Sequence, residues 1–199
     1  GEQEADITAA IHKAAAVVIG PGLGQEAGAE RLLDLVLQEA EKLPELPVVI
    51  DADGLNLLAK KRLYSTLGRQ YVLTPHLREM SRLSGKSVQE IADDMTSAVM
   101  GQQAGATIVL KDARTLVSDG DWLYINLSGN SALSTGGSGD VLSGMIGGLL
   151  AQGCTQRTAA TLAVYMHGLT ADQYCESAPP HCMLARDILE MIPKIGGNS

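Results

Sequence analysis

The sequence predicts an α/β domain with a mostly parallel central sheet, and three of its properties support this prediction. Short runs of β-branched and aliphatic residues alternate with longer amphipathic segments, which is typical of strands joined by helical crossovers. Most of these short runs are almost wholly apolar, as strands buried on both faces should be. The 199 residues, 45% hydrophobic and 19% charged, suffice for one domain with a sizeable core. We therefore expect residues 1–199 to form a single domain.

Each predicted element follows from a local pattern. The apolar runs predict strands over residues 16–19, 48–51, 71–73 and 107–110. Amphipathic segments predict helices over residues 26–41, 54–60, 76–83 and 88–104, and later over residues 141–152, 155–175 and 184–191. Residues 114–126 surround the turn sequence Ser-Asp-Gly-Asp and predict a small hairpin.

Charge and cysteine content exclude several classes of protein. A net charge of −8 argues against a nucleic-acid partner, which would need clustered Lys and Arg.

The longest apolar candidate helix, residues 141–151, is about half of the ~20 residues needed to span a bilayer, so we expect no membrane association. Three cysteines without a CxxC pair argue against a disulfide framework, and no leader-like segment opens the chain. We therefore expect a cytoplasmic protein.

Glycine and polar residues follow all four predicted strands. Because ligands of open α/β sheets bind outside the carboxyl ends of the strands, these segments predict one shared cleft. The segments are GPGLG at residues 20–24, DADGLN at residues 51–56, TPHLRE at residues 74–79, and Lys111.

A glycine-rich loop, STGGSGD, precedes the helix predicted from residue 141. Gly136, Gly137 and Gly139 permit backbone conformations closed to other residues, and the free N–H groups of a helix start attract anions. The loop is neither a Walker A sequence nor GxGxxG. Asp140 beside such an anion site could accept a hydroxyl proton during phosphoryl transfer. The alternative is a flexible turn in which Asp140 only favours the helix dipole.

Simpler structural roles remain open for the other motifs. GPGLG could be only a tight turn, Asp53 could cap the following helix, and His76 could be an exposed first-turn histidine. Lys111 could form a structural salt bridge, although a phosphate explains a cation in this cleft better. The other three histidines resemble surface or hydrogen-bonded helix residues; they are His12, His167 and His181. No spacing typical of a metal site is present, so we expect any Mg²⁺ to arrive with a nucleotide.

Taken in order, these motifs resemble the ADP/ATP-dependent NAD(P)H-hydrate dehydratase family of the ribokinase-like superfamily. The resembling segments are VVIGPGLG, VVIDADGLNLLA, LTPHLREMSRLSG, VLKDART and GNSALSTGGSGDVLSGMIGGLLAQG. The resemblance implies a ribokinase-like three-layer fold around a mostly parallel sheet. It also implies repair of hydrated NADH and NADPH (NADHX and NADPHX): a nucleotide phosphoryl group activates the added hydroxyl, and phosphate elimination restores the ring.

The resemblance also implies roles for individual residues. Asp140 would activate the hydroxyl and contact the hydrate. The substrate side would further comprise Gly22, Gly24, Asp53 and His76. The nucleotide would be held by the residues that follow the fourth strand and by the glycine loop, namely Lys111, Asp112, Ala113, Arg114, Thr115, Gly136, Gly137, Ser138 and Gly139. ADP or ATP with Mg²⁺ would be the co-substrate. Many family members form homotetramers and work beside an epimerase, which could be fused upstream.

The chain departs from the family pattern at three segments, one of which is GNSALS at residues 129–134, where the family has GNxGMA with a second glycine. Leu77 and Arg78 stand where the family commonly has Pro and Gly, and Asp112 follows Lys111 where the family has Gly. Only 19 residues precede Gly20, whereas family domains carry a longer segment there, so we expect an N-terminally incomplete domain. Two other functions remain open: a small-molecule kinase acting on a hydroxymethyl group of a sugar or vitamin precursor, and a non-catalytic nucleotide-binding subunit.

Overall fold

A six-stranded sheet forms the centre of the structure, a computed structural model that describes residues 2–101 and 105–195. The strands lie side by side in chain order, β1 to β6. Their bounds are Val17–Ile19 (β1), Val48–Ile50 (β2), Tyr71–Leu73 (β3), Thr107–Leu110 (β4), Leu116–Ser118 (β5) and Leu123–Ile125 (β6). Strands β1 to β4 are parallel, whereas β5 and β6 form an antiparallel hairpin on β4. The carboxyl ends of the four parallel strands therefore meet at one edge of the sheet.

Nine α-helices within the described residues surround this sheet. Their bounds are Glu2–Ile11 (α1), Ala27–Lys42 (α2), Ala52–Lys61 (α3), Leu77–Ser84 (α4), Val88–Asp93 (α5), Met95–Met100 (α6), Ser138–Ala151 (α7), Gln156–Tyr174 (α8) and Ala185–Met191 (α9). Short 3₁₀ turns occupy Tyr64–Thr66, Ser131–Ser134, Pro180–Cys182 and Ile192–Lys194.

Alternate strand residues face two separate cores, which makes the architecture three-layered. One set of strand side chains, including Ile50, Leu73 and Ile108, packs with helices α2 to α6. The other set, including Val49 and Val72, packs with α7 and α8. Because strand side chains alternate between the two faces, a run of consecutive apolar residues fills both cores. The predicted α/β fold with a mostly parallel sheet is confirmed.

The predicted helix over residues 88–104 is wrong as a single element. The structure has two short helices there, α5 and α6, and residues 102–104 lie outside the described part of the chain. The break is at Asp94, whose backbone is not helical and whose carboxylate accepts a hydrogen bond from the Ser97 N–H at 2.9 Å. An aspartate that caps a new helix in this way competes with continuation of the previous one.

Two further expectations concern cysteines and membrane spans. All three cysteines, Cys154, Cys175 and Cys182, are free thiols, as the sequence predicted. Within the described residues, no helix combines the length and the apolar character that crossing a membrane requires.

Candidate active site

The GPGLG loop after β1 is held against the start of α3. Gly20 has a φ of +122°, and a Cβ there would lie only 1.8 Å from the carbonyl oxygen of Asp51, so only glycine fits. The carboxylate of Asp53 accepts hydrogen bonds from the Gly24 N–H at 3.1 Å and from Gln25 Nε2 at 2.8 Å. The loop is therefore a fixed structure rather than a free turn.

The structure also settles which aspartate caps α3. The cap is Asp51, whose Oδ1 accepts a hydrogen bond from the Ala52 N–H at 2.8 Å. Asp53 lies in the first turn of the helix and binds the GPGLG loop instead. The capping alternative for Asp53 is thus wrong, because the helix begins two residues earlier than predicted.

Asp51 is the centre of a buried polar network at the strand ends. Its side chain is 1% exposed and accepts hydrogen bonds from Lys111 Nζ at 2.9 Å and from Ser143 Oγ at 2.5 Å. Thr74, fully buried at the end of β3, lies 3.4 Å from Ser143 through the two hydroxyl oxygens. A carboxylate out of water needs such partners, because an unpaired buried charge is costly. The network therefore joins β2, β3 and β4 to α7.

His76 begins α4 and closes a capping box with Glu79. Its Nδ1 accepts hydrogen bonds from the N–H groups of Arg78 at 3.1 Å and Glu79 at 3.3 Å, while Glu79 Oε2 accepts from the His76 N–H at 2.9 Å. Because Nδ1 accepts, the proton of the neutral ring is on Nε2. About half of the side chain remains exposed, and His76 pairs with Lys111 as an extension of the β3–β4 ladder. His76 and Lys111 are therefore neighbours at this edge.

The glycine loop brings the start of α7 against Lys111. Gly137 adopts a φ of +84° as the N-cap, whereas neither Gly136 nor Gly139 has a left-handed backbone. Gly139 instead lies close to Lys111: a Cβ there would come within 3.3 Å of Nζ, the end of a flexible side chain. Asp140, exposed in the first turn of α7, comes directly after it. The Ser138 N–H donates to the Thr135 carbonyl, but the N–H groups of Gly139 and Asp140 have no intrahelical acceptor, so they and the ammonium together form an anion-binding surface next to a carboxylate.

A buried histidine contacts the first residue of α7. His167 Nε2 lies 3.1 Å from both the hydroxyl and the carbonyl oxygen of Ser138, the first residue of α7. Burial lowers the pKa of His167 to about 4, and the nearby positive charge of Lys111 acts in the same direction. The ring is therefore neutral at pH 7 and donates from Nε2. His167 is the hydrogen-bonded helix histidine that the sequence suggested, but it anchors the loop thought to bind phosphate.

Because of His167, the free energy of unfolding is expected to fall as the pH is lowered. Its pKa is about 4 in the folded chain and about 6.5 when unfolded, so only the unfolded chain takes up this proton between those values. The contribution lost as the pH falls from 6.5 to 4 is about 3 kcal/mol. Urea unfolding between pH 7.5 and 4.5 should show a shallower pH dependence for His167→Gln than for the unaltered chain. His181→Gln, at an exposed position, is the matched control; equal slopes for the two variants would contradict the assignment.

The structure thus brings most of the predicted site residues to one edge of the sheet. Among the described residues, the side chains of Asp112, Ala113 and Arg114 are exposed and form no hydrogen bond with the glycine loop. Thr115 accepts a backbone hydrogen bond from Asn126 as β5 begins. Their assignment to the nucleotide stays a prediction, as do the ligand roles of the other site residues.

Sequence reasoning gave no role to three members of the site, although it placed the segment that contains Asp51 in the cleft. Asp51 had a visible signal, because a carboxylate directly after a buried strand needs a partner, and Lys111 follows another parallel strand of the same sheet, β4. Ser143 and His167 had none, because each lies inside an apolar helix pattern and only the packing of α7 and α8 shows its partner.

The family model and the curated relatives point to one family. A family model described as NAD(P)H-hydrate dehydratase matches residues 2–194. The ADP-dependent (S)-NAD(P)H-hydrate dehydratase of Neisseria meningitidis is 44% identical over 167 residues, which cover 81% of this chain and 55% of that protein. The bifunctional NAD(P)H-hydrate repair enzyme Nnr of Coxiella burnetii is 39% identical over 186 residues, covering 92% of this chain and 36% of that protein. The chain therefore spans between about a third and about half of these curated relatives.

Solved structures show the same fold. A ribokinase-like superfamily protein from Enterococcus faecalis superposes with a TM-score of 0.83 at 30% identity, covering 98% of this chain and 66% of that one. The ADP/ATP-dependent NAD(P)H-hydrate dehydratase of Bacillus subtilis, co-crystallised with ATP and Mg²⁺, gives a TM-score of 0.72 at 29% identity, covering 90% of this chain and 63% of that one. These similarities confirm the predicted ribokinase-like fold.

Proposed function

This chain belongs to the NAD(P)H-hydrate dehydratase family, and we propose that it uses ADP to dehydrate the (S) hydrates of NADH and NADPH, as a carbon–oxygen lyase. One observation carries the proposal. Gly139, at the start of α7, lies against the ammonium of Lys111, with Asp140 next in the chain. A cation, free helix N–H groups and an exposed carboxylate are the groups that phosphoryl transfer to a hydroxyl requires.

Asp140 is the proposed general base. Its carboxylate accepts the proton of the added hydroxyl while that oxygen attacks the terminal phosphorus of the nucleotide, and the bond from this phosphorus to the bridging oxygen breaks. The phosphate then leaves the ring with the electron pair of the carbon–oxygen bond. Loss of a proton from the adjacent carbon restores the double bond. Phosphorylation turns a poor leaving group into a good one, and AMP is the product from ADP.

The rest of the site divides into a nucleotide side and a substrate side. Lys111 and the α7 start would stabilise the charge of the transferring phosphoryl group, with the segment from Asp112 to Thr115 beside the nucleotide. Gly22, Gly24, Asp53 and His76 would line the hydrate. His76 suits this role because its Nδ1 is used in capping, while its Nε2 lies 3.5 Å from Glu79 Oε1, too far for a strong hydrogen bond, and can donate to the substrate from the half-exposed ring.

Mg²⁺ is proposed to enter with the nucleotide. Protein-bound Mg²⁺ usually keeps several waters and binds substrate phosphates with one or two carboxylates. Asp112 and Asp140 both carry exposed carboxylates at this end of the sheet, whereas Asp51 is already occupied by Lys111 and Ser143. Bound there, the metal would neutralise charge on the phosphates.

A coupled assay tests the proposal. The protein is incubated with NADHX, Mg²⁺ and either ADP or ATP, and the reappearance of NADH absorbance is followed. Nucleotide-dependent recovery of NADH supports the dehydratase. A stable phosphorylated product without NADH would favour a small-molecule kinase, since the same anion site and base serve both reactions. Nucleotide binding without turnover would favour a non-catalytic subunit; either result overturns the dehydratase proposal.

The cellular setting is proposed from the relatives. Several of them are named bifunctional repair enzymes, so we propose an epimerase as the functional partner, acting in the same protein or beside it. A homotetramer and a cytoplasmic location are also proposed. Size-exclusion chromatography with light scattering tests the oligomer, since a monomeric mass at micromolar concentration would contradict it.

A further inference from the structure

We propose that Arg82, with Lys60 and Arg78, forms a cationic subsite that binds a phosphate group of the dinucleotide substrate. The inference rests on the proposed function, since it assigns the part of the hydrate that lies away from the reacting ring. None of these three residues belongs to the site described above.

The subsite is a surface depression of about 490 Å³ between the GPGLG loop, α3 and α4. Its lining consists of Gln25, Asn56, Ala59, Lys60 and Arg82. The side-chain amide of Gln25 donates to the carboxylate of Asp53. The same carboxylate accepts a hydrogen bond from the Gly24 N–H in the GPGLG loop. The depression therefore begins where the proposed hydrate-binding loop ends.

Arg82 brings an uncancelled positive charge to this depression. Its Nη1 donates to Asn56 Oδ1 at 2.8 Å, so the guanidinium is fixed over α3 by a neutral amide rather than by a carboxylate. Lys60, on the same wall, forms an ion pair with Glu30. Glu30 pairs with Lys60, and Asp53 binds the Gly24–Gln25 segment, so within the described residues Arg82 is the cation of this depression whose charge no carboxylate pairs. Arg82 and Lys60 each lie in the last turn of a helix, where cations are common, but their convergence on one depression is not explained by helix capping.

Arg78 connects this depression with His76. It is exposed, it lies two residues after His76, and it precedes Arg82 by four residues, so the two arginines occupy the same face of α4. Arg82 follows His76 by six positions, a rise of ~9 Å along the helix axis at 1.5 Å per residue. A ligand whose hydrated ring lies at His76 can therefore place a phosphate at Arg78 or Arg82.

Phosphate is the chemistry that these groups favour. Arg binds phosphate through two parallel N–H groups, and Asn56 already orients the plane of the Arg82 guanidinium. Two phosphates of the proposed substrates could be the ligand. The diphosphate bridge is present in both NADHX and NADPHX, whereas the 2′-phosphate is present only in NADPHX.

The test compares Arg82→Gln and Arg78→Gln with the unaltered chain on both substrates. Glutamine keeps a donor for Asn56 and removes the charge. We expect each arginine substitution to raise KM about tenfold for the substrate whose phosphate the arginine binds, the equivalent of one charge-assisted hydrogen bond. The effect should be on KM rather than on kcat. The rise should shrink at high ionic strength, because salt screens exposed charges. Lys61→Gln is the matched control, since Lys61 follows Lys60 but pairs with Asp34.

The two substrates separate the possible ligands. A rise in KM for both NADHX and NADPHX identifies the diphosphate bridge, and a rise for NADPHX alone identifies the 2′-phosphate. No rise, or an equal rise in Lys61→Gln, overturns the inference. Calorimetric Kd values for the same hydrates without nucleotide make the test independent of turnover. A chain that binds NADPHX through Arg82 but does not dehydrate it would support the subsite and overturn the proposed activity.

Discussion

Asp140→Asn is expected to lower kcat for NADHX dehydration by about 10²- to 10⁴-fold, the range typical of a lost general base. The amide has the size of the carboxylate but cannot accept the hydroxyl proton. Nucleotide affinity should be almost unchanged, because the proposed contacts to phosphate come from Lys111 and the first-turn N–H groups of α7. The measurement is single-turnover recovery of NADH absorbance, with ADP binding followed separately by calorimetry.

Asp121→Asn is the matched control for this variant. Asp121 is another exposed aspartate, and it lies in the β5–β6 turn, at the opposite edge of the sheet from Asp140. It should keep full activity. If Asp140→Asn retains more than a tenth of the activity, Asp140 is a first-turn acid that favours the helix dipole, and the base must be sought elsewhere.

Lys111→Met is expected to destabilise the fold by about 3 kcal/mol and to abolish turnover. The variant leaves the buried Asp51 carboxylate without its cation, and breaking a buried pair typically costs 3–5 kcal/mol; we take the lower end because Lys111 is 22% exposed. The midpoint of guanidinium unfolding measures the loss. The variant also lacks the ammonium that lies beside Gly139, so the anion site should lose affinity for ADP.

The double variant Asp51→Asn with Lys111→Met separates these two effects. Removing both charges removes the uncompensated carboxylate, so most of the lost stability should return while activity remains absent. If the single and double variants have equal free energies of unfolding, Lys111 does not stabilise the fold by pairing with the Asp51 carboxylate. Recovery of activity in the double variant would contradict its role at the phosphate.

The fold was predictable because its main signals are local. Four short apolar runs each became a parallel strand, and the shift from apolar to polar residues at each strand end located the cleft. The helix over residues 88–104 was mispredicted because a capping aspartate inside an amphipathic pattern competes with helix continuation, and periodicity alone does not reveal which prevails. The hairpin after β4 was predicted from its turn residues, and the structure has it at β5 and β6.

The site was only partly predictable because its supporting contacts are distant in sequence. The glycine loop and Asp140 were found from one continuous motif. By contrast, the hydrogen bond from Ser143 to Asp51 joins residues 92 positions apart, and that from His167 to Ser138 joins two helices. Such partners depend on how α7 packs on the sheet, and no local sequence pattern predicts that packing. The expectation that each glycine of the loop needs a special backbone conformation also failed at Gly136 and Gly139, neither of which has a positive φ.

The Asp51–Ser143 bond has a consequence for the order in which the chain folds. Strands β1 to β4 and helices α2 to α6 can form from residues within the first two thirds of the sequence, but the last third must return across them to supply Ser143. Contacts of such long sequence separation form late, since a long loop must close first. A chain still emerging from the ribosome would therefore have the Asp51–Lys111 pair before it has the helix that carries Asp140. Opening of α7 alone, detectable by hydrogen exchange, would return the mature protein to that inactive state without unfolding the sheet.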